Sequence, residues 1–203
     1  MSGDDRRRQL LDVAIELFSQ KGFGGTTTKE IAAAAGVTEA IIFRHFATKQ
    51  DLYQAILDIK CKCDGTVDWM AELQALIDVN DDEGLFRFLL KKILEFDREE
   101  PRFCRLLMHA SLEGNELALM HNAQMAMPVG AKFKEYIAKR QAAGALRQLD
   151  PTVVIFALAG IPKYYAMQKY MYRNADVTLT DEQAIEGFLD ILMNGLRPAE
   201  HKQ

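Results

Sequence analysis

Short apolar stripes at helical spacing, opened by threonine or aspartate caps and closed by glycine or proline, recur along the whole chain, and they confine it to an all-α architecture. Leu10, Leu11, Ala14, Ile15, Leu17 and Phe18 form the first stripe, and Lys21-Gly22 supplies a basic last turn and a stop. Thr27 and Glu30 have the spacing of a capping box, in which each side chain bonds the other residue's backbone N–H. Gly36 is suited to the left-handed conformation that closes the helix. Thr38 is expected to cap a short helix ending near Phe46, and Thr48, with Asp51, the next.

Beyond Gly65 the elements lengthen. Met70, Leu73, Leu76 and Ile77 make one stripe, and Asp81-Asp82-Glu83 opens a helix that carries Leu85 to Leu94. Pro101 fits the first turn of another. A helix through Leu117 and Met120 is expected to break or kink at Pro128, to resume through Phe133 and Ile137, and to stop at Gly144. Asp150-Pro151 caps a strongly apolar helix from Val153 to Met171, interrupted by Gly160-Ile161-Pro162, where a kink could open a pocket. Thr180 and Gln183 form a last capping box, and Pro198 ends the last helix. The reading is about nine helices: a three-helix helix-turn-helix domain over 4–64 and a larger helical domain over 65–203.

Composition removes several classes of function. No apolar run reaches the ~20 residues of a membrane helix, and the start lacks the apolar core of a secretory signal, so the cytoplasm is expected. Three cysteines, Cys61, Cys63 and Cys104, do not make a disulfide framework. Cys61 and Cys63 would point about 200° apart on a helix, so no metal site is expected. An all-α enzyme could use His109, Glu113 or His121, but with no nucleophile motif, phosphate loop or metal-ligand spacing the chain does not read as an enzyme. The net charge is −4, with 25 Lys and Arg against 29 Asp and Glu. Residues 1–60 balance to zero, so bulk charge does not announce a nucleic-acid partner and only the placement of charges can.

That placement is specific between Thr28 and Ala47. A helix-turn-helix needs a small residue where its helices cross, a glycine in the turn and a branched apolar residue facing inward, and Ala32, Gly36 and Ile42 supply them. The string from Thr27 to Phe46, followed by Lys49-Gln50-Asp51-Leu52 and preceded by Ala14-Ile15-Glu16-Leu17-Phe18 and Lys21-Gly22-Phe23, closely resembles the amino-terminal domain of the TetR family of transcription regulators. The resemblance is strong from about residue 8 to 57 and loose beyond.

The resemblance implies a homodimeric regulator, commonly a repressor, that holds palindromic operator DNA and releases it when a small molecule binds. The second helix of the pair would lie in the major groove. Thr38, Glu39, Ala40 and Arg44 are the candidates for base reading: Glu39 accepting from a cytosine amine, Ala40 touching a thymine methyl, Arg44 taking guanine or a phosphate. Thr27, Thr28, His45 and Lys49 read as backbone contacts. Phe43 stands where the family commonly has a tyrosine whose hydroxyl meets a phosphate, so that contact is lost while the ring can still pack on sugar. Ala40 replaces a frequent glycine, so the operator cannot be borrowed from relatives. Arg6, Arg7 and Arg8 are either an arm on the DNA or a solvated tail.

The implied dimer uses the last two long helices, with Val154, Ile155, Leu158 and Ala159 on one and Phe188, Leu189 and Leu192 on the other; the competing reading places these in the monomer core. The larger domain is rich in methionine and aromatic residues, which suits a small apolar or aromatic effector, and Phe103, Leu107, Met125, Phe156, Tyr164 and Met167 are its candidate contacts. The alternative is a ligand-binding dimeric scaffold whose DNA binding is impaired, kept open by the neutral amino-terminal domain and Phe43.

Overall fold

In a computed structural model of the chain the described residues are 3–61, 65–114 and 116–197. They hold eleven α-helices and two π turns: α1 Gly3–Lys21, α2 Thr28–Ala34, α3 Glu39–His45, α4 Lys49–Cys61, α5 Gly65–Asp78, α6 Asp82–Glu99, α7 Pro101–Leu112, α8 Glu116–His121, a π turn Asn122–Ala126, α9 Met127–Ala142, α10 Pro151–Ala166, a second π turn Met167–Met171, and α11 Asp181–Leu196. Among the described residues no strand occurs, and no helix is long and apolar enough to cross a membrane.

Most local signals do what the sequence indicates. Asp81 accepts from the Gly84 N–H at 2.9 Å to open α6, and Asp150 accepts from the Thr152 N–H at 2.8 Å to open α10. The Thr180–Gln183 capping box is formed, with N–H to side-chain distances of 2.9 and 3.2 Å. Gly144 closes α9 at φ +73°.

Four expectations are corrected. The helix count exceeds about nine because the Leu117–Ile137 stretch divides at a π turn instead of kinking at Pro128; Pro128 is the second residue of α9, where a missing N–H is harmless. Pro162 is buried inside α10 without ending it, although it lacks the N–H for its own ladder bond, and the π turn Met167–Met171 follows. Thr38 holds the cap position of α3 but its side chain makes no cap hydrogen bond. Arg6, Arg7 and Arg8 lie within α1 rather than in a tail, and Arg7 stacks on the Phe46 ring at 4.9 Å. Cys63 lies outside the described residues, as does the side chain of Cys61.

The chain divides into two compact units, one of residues 1–64 with 102–126 and one of 65–101 with 127–203. In the first, Leu10, Phe18, Ile31, Ile42, Leu52, Tyr53 and Ile56 are fully buried, and the Phe18, Phe23 and Tyr53 rings pack at 4.8–5.8 Å. In the second, α6 is the central element, packed by α5, α10 and α11. Its amphipathic face buries Leu85, Phe86, Leu89, Leu90 and Leu94. A carboxylate of α6, Asp82, takes a bidentate pair from Arg140 at 2.8 Å and a hydrogen bond from the Tyr136 hydroxyl at 2.6 Å, tying α6 to α9.

Candidate nucleic-acid interface

The turn between α2 and α3 is built from the three residues the sequence singles out. Gly36 adopts φ +67°, which lets the Val37 N–H return to the Ala32 carbonyl at 2.9 Å and the Gly36 N–H to Ala33 at 3.2 Å. Ala32 is buried where the helices meet, and Ile42 is fully buried beneath α3. A larger side chain at Ala32 would force the two helices apart.

The entry to α2 is fixed by its capping box. The Thr27 hydroxyl accepts from the Glu30 N–H at 3.2 Å while Glu30 accepts from the Thr27 N–H at 2.8 Å. Lys21, at the end of α1, pairs with the same carboxylate at 2.7 Å. That ion pair first, and the Thr27 hydrogen bonds with it, pull the Glu30 carboxyl down to about 2. Across the turn Gln9 of α1 donates to the Ala35 carbonyl at 3.3 Å, so α1 holds the turn from behind.

With Ile42 and Phe46 inward, α3 presents Ala40, Phe43 and Arg44 outward at i, i+3 and i+4. Thr38 is exposed at its start and Phe43 is half exposed. Arg44 has no ion-pair or hydrogen-bond partner among the described residues, and the same holds for exposed Lys29 on α2. Both cations are therefore available to an anion from outside.

Other candidates are already engaged. Glu39 accepts a hydrogen bond from the Thr28 hydroxyl, so these two side chains join α2 to α3. The His45 ring lies 6.3 Å from that of Phe46 and is half-buried. Lys49, expected as a phosphate contact, turns its ammonium inward: it donates to the carbonyls of Phe23 at 2.7 Å and Thr26 at 2.8 Å and sits 4.0 Å over the Phe23 ring. Burial lowers its pKa. The Thr48–Asp51 capping box, at 2.9–3.0 Å, opens α4 just before it. The loop that leads into α2 is also held by Glu113, whose carboxylate accepts from the Phe23 N–H at 3.1 Å. Sequence reading singled out Glu113 only for acid–base work and missed Gln9 and Lys29; Glu113 and Gln9 act across long sequence separations, for which no local pattern exists, and Lys29 was legible only as one more exposed cation.

The residues marked for an effector fall in both units. Phe156 and Tyr164 line an open groove of about 680 Å³ in the second unit, together with Gly160, Ile161, Leu179 and Phe188. Met167 begins the second π turn and is half-buried. Phe103 and Leu107 belong to α7 in the first unit, Phe103 fully buried with its ring 5.5 Å from that of His121. The Met125 side chain lies outside the described residues. Val154, Leu158, Leu189 and Leu192 are core residues of the second unit, so the dimer assignment made for them from sequence gives way to the competing one.

A family described as bacterial regulatory proteins, tetR family, matches residues 10–56. The transcriptional regulator RutR of Escherichia coli K12 is 28% identical over 202 residues, covering 95% of this chain and 91% of its own. AcrR of Shigella flexneri is 34% identical over 123 residues, 59% of this chain and 56% of its own. Among solved structures, AibR in complex with isovaleryl coenzyme A and operator DNA superposes with a TM-score of 0.65 at 23% identity, covering 93% of this chain and 98% of that one. A TetR-family regulator from Mesorhizobium loti superposes at 0.63 with 16% identity, covering 97% and 99%.

Proposed function

The chain belongs to the TetR family of bacterial regulatory proteins, transcription regulators rather than enzymes, and from that premise we propose that it is a repressor that binds a palindromic operator as a homodimer and leaves it when a small apolar effector binds. The observation that carries the reading is α3: its apolar side is sealed by Ile42 and Phe46, while Ala40, Phe43 and partnerless Arg44 face outward. Residues 4–64 are the DNA-binding domain and 65–203 the effector and dimerisation domain.

The roles follow from the side chains still free to act. Ala40 and Arg44 read bases, and Thr38, with Thr27 and Lys29, meets the backbone on either side. Glu39 and Thr28 set the angle between α2 and α3 and offer DNA only what their mutual bond leaves over. Lys49 braces the loop before α2, and its backbone N–H at the start of α4, rather than its ammonium, is what a phosphate would meet. His45 lies beside this row. Phe43 packs on sugar, without the hydroxyl that would add a phosphate contact.

One reading helix sees too few base pairs for selectivity, so a second copy is required, and the exposed faces of α10 and α11 provide the place for it. The fold itself accommodates a regulator of this kind, since AibR holds both operator DNA and isovaleryl coenzyme A. For this chain the effector contacts are assigned to Phe103, Leu107, Met125, Phe156, Tyr164 and Met167, a set of methionine, aromatic and aliphatic side chains that suits an apolar effector. An effector that prefers one dimer geometry shifts the spacing of the two α3 helices and thereby the affinity for DNA. When bound to DNA the protein is part of the nucleoid.

The test is salt dependence of binding to duplex DNA. A dimer contacting several phosphates should lose about 10³- to 10⁵-fold in affinity between 50 and 200 mM salt. Absence of binding to any duplex at low salt, with and without candidate effectors, would favour the scaffold reading instead.

A further inference from the structure

The loop from Gly22 to Thr27 sets where α2 begins, and its own sequence orders it poorly. Gly22, Gly24 and Gly25 stand in it, and glycine loses more conformational freedom on folding than any other residue. Gly22 adopts φ +73°, and a Cβ there would overlap the Glu113 carboxylate, with His109 Nδ1 at 3.5 Å from the same point. A Cβ on Gly25 would overlap the Lys21 carbonyl. The backbone is bare where other groups come closest to it.

Two side chains of opposite charge close on that backbone, and they hold the two polar groups of one residue. The Lys49 ammonium donates to the Phe23 carbonyl at 2.7 Å, and the Glu113 carboxylate accepts from the Phe23 N–H at 3.1 Å. Lys49 donates also to the Thr26 carbonyl at 2.8 Å, and the buried Thr26 hydroxyl donates back to the Gly22 carbonyl at 2.8 Å. The Phe23 ring is anchored 4.8 Å from Tyr53 and 5.8 Å from Phe18. Burial lowers the Lys49 pKa, and the charge of Glu113 works against that shift. The residue that follows this frame is Thr27, the cap of α2.

Nothing in α7 itself favours an acid at 113. Glu113 follows the last residue of the helix, where unsatisfied carbonyls suit a cation and disfavour a carboxylate. Its partner lies 90 residues away in the sequence. At the other end of α7, Arg102 pairs with Glu16 of α1 at 3.2 Å, so the segment is tied twice to the amino-terminal helices. Residues 102–126 fall in one compact unit with residues 1–64.

We infer that Glu113 is a positioning residue for DNA binding: seated on the bare backbone of Gly22 and Phe23, it acts with Lys49 to fix the loop and so the placement of Thr27 and Lys29. It acts through the loop rather than by contact with DNA. This rests on the proposed DNA binding, and it extends the DNA-holding unit beyond residue 64 to the end of α7. The sign of the effect separates this role from bulk electrostatics. A carboxylate repels phosphates, so removing its charge alone should tighten binding. Removing the acceptor that orders the loop should weaken it.

The experiment compares the full chain with Glu113→Ala and Glu113→Gln, by fluorescence anisotropy on a labelled random-sequence duplex at several salt concentrations. Both variants lose the charge, but glutamine keeps an oxygen that can accept from the Phe23 N–H. Glu113→Ala should bind more weakly than the unaltered chain and about tenfold more weakly than Glu113→Gln, the loss of about one hydrogen bond in each of two copies. Its salt slope should be shallower, as phosphate contacts from α2 are lost, while the unfolding midpoints of all three stay alike. Without DNA, the Phe23 amide should exchange with deuterium about fivefold faster in Glu113→Ala than in Glu113→Gln. Equal affinities of the two variants, equal exchange at Phe23, or tighter binding by Glu113→Ala than by the unaltered chain overturns this inference while DNA binding stands. An unaltered chain that binds no duplex overturns the DNA-binding reading beneath it.

Discussion

Arg44→Ala is expected to lower operator affinity by about 1–3 kcal/mol per half-site, and so by about twice that for a symmetric dimer, while leaving the unfolding midpoint almost unchanged. The separation of the two effects follows from the side chain's position. Arg44 is exposed on α3, one residue from Phe43 and on the side opposite Ile42, and no group among the described residues pairs with it. Its removal therefore breaks nothing inside the protein. The same measurement, fluorescence anisotropy on labelled duplexes, decides what Arg44 touches. A bidentate contact to guanine relaxes the preference at one base pair, whereas a phosphate contact weakens all duplexes alike and makes the salt slope shallower by about one per contact. An unchanged affinity with an intact fold would remove Arg44 from the interface.

Asp181→Ala is expected to have the largest effect on stability, about 2–4 kcal/mol, out of the ~5–15 kcal/mol typical of a domain. Asp181 opens α11 and is almost completely buried. Its carboxylate accepts from Tyr170 at 2.5 Å, Lys169 at 3.0 Å, Arg98 at 3.1 Å and Tyr165 at 3.3 Å. Lys169 and Tyr165 also donate to the Leu179 carbonyl at 2.8 and 2.9 Å, so the same donors pin the segment that leads into α11. Without the carboxylate, the Tyr170 hydroxyl loses its acceptor, and the Lys169 ammonium and the Tyr165 hydroxyl are left with the Leu179 carbonyl. Part of the loss is recovered by solvent, since Arg98 is substantially exposed.

The same residue gives the stability a defined pH dependence. Burial alone would raise the Asp181 carboxyl, but the hydrogen bonds from Tyr170 and Lys169 outweigh it and hold the group below its ordinary value. A carboxyl lowered on folding stabilises the folded state fully above its unfolded pKa, roughly 4, and that contribution disappears as pH falls through the lower folded value. Glu30, lowered to about 2, acts in the same direction in the other unit. Urea midpoints should therefore be flat from pH 7 to about 5 and decline below ~4, and Asp181→Asn should make that decline shallower while lowering the plateau. A decline of equal steepness in Asp181→Asn would contradict the assignment.

What could be read from the sequence was whatever is settled within a few residues. The Thr27–Glu30, Thr48–Asp51 and Thr180–Gln183 boxes, the left-handed Gly36 and Gly144, and the Ala32–Gly36–Ile42 triplet all depend on neighbours along the chain, and all are formed. What could not be read depends on partners far away. The Lys49 ammonium looks free in sequence, yet carbonyls 23 and 26 residues earlier hold it. Helix α10 is apolar almost all round, so periodicity could not tell the core side, Val154, Leu158 and Tyr165, from the solvent side, Val153, Phe156 and Tyr164.

The measurement that bears most directly on the central claim is selection of duplexes bound by the purified protein from a random DNA library. A two-fold dimer reading with two α3 helices predicts one enriched palindrome, its half-sites about one helical turn or a multiple apart, centre to centre, with enrichment fading for Arg44→Ala. Enrichment of a single unrepeated half-site, or of no sequence at low salt in the presence or absence of candidate effectors, would contradict it.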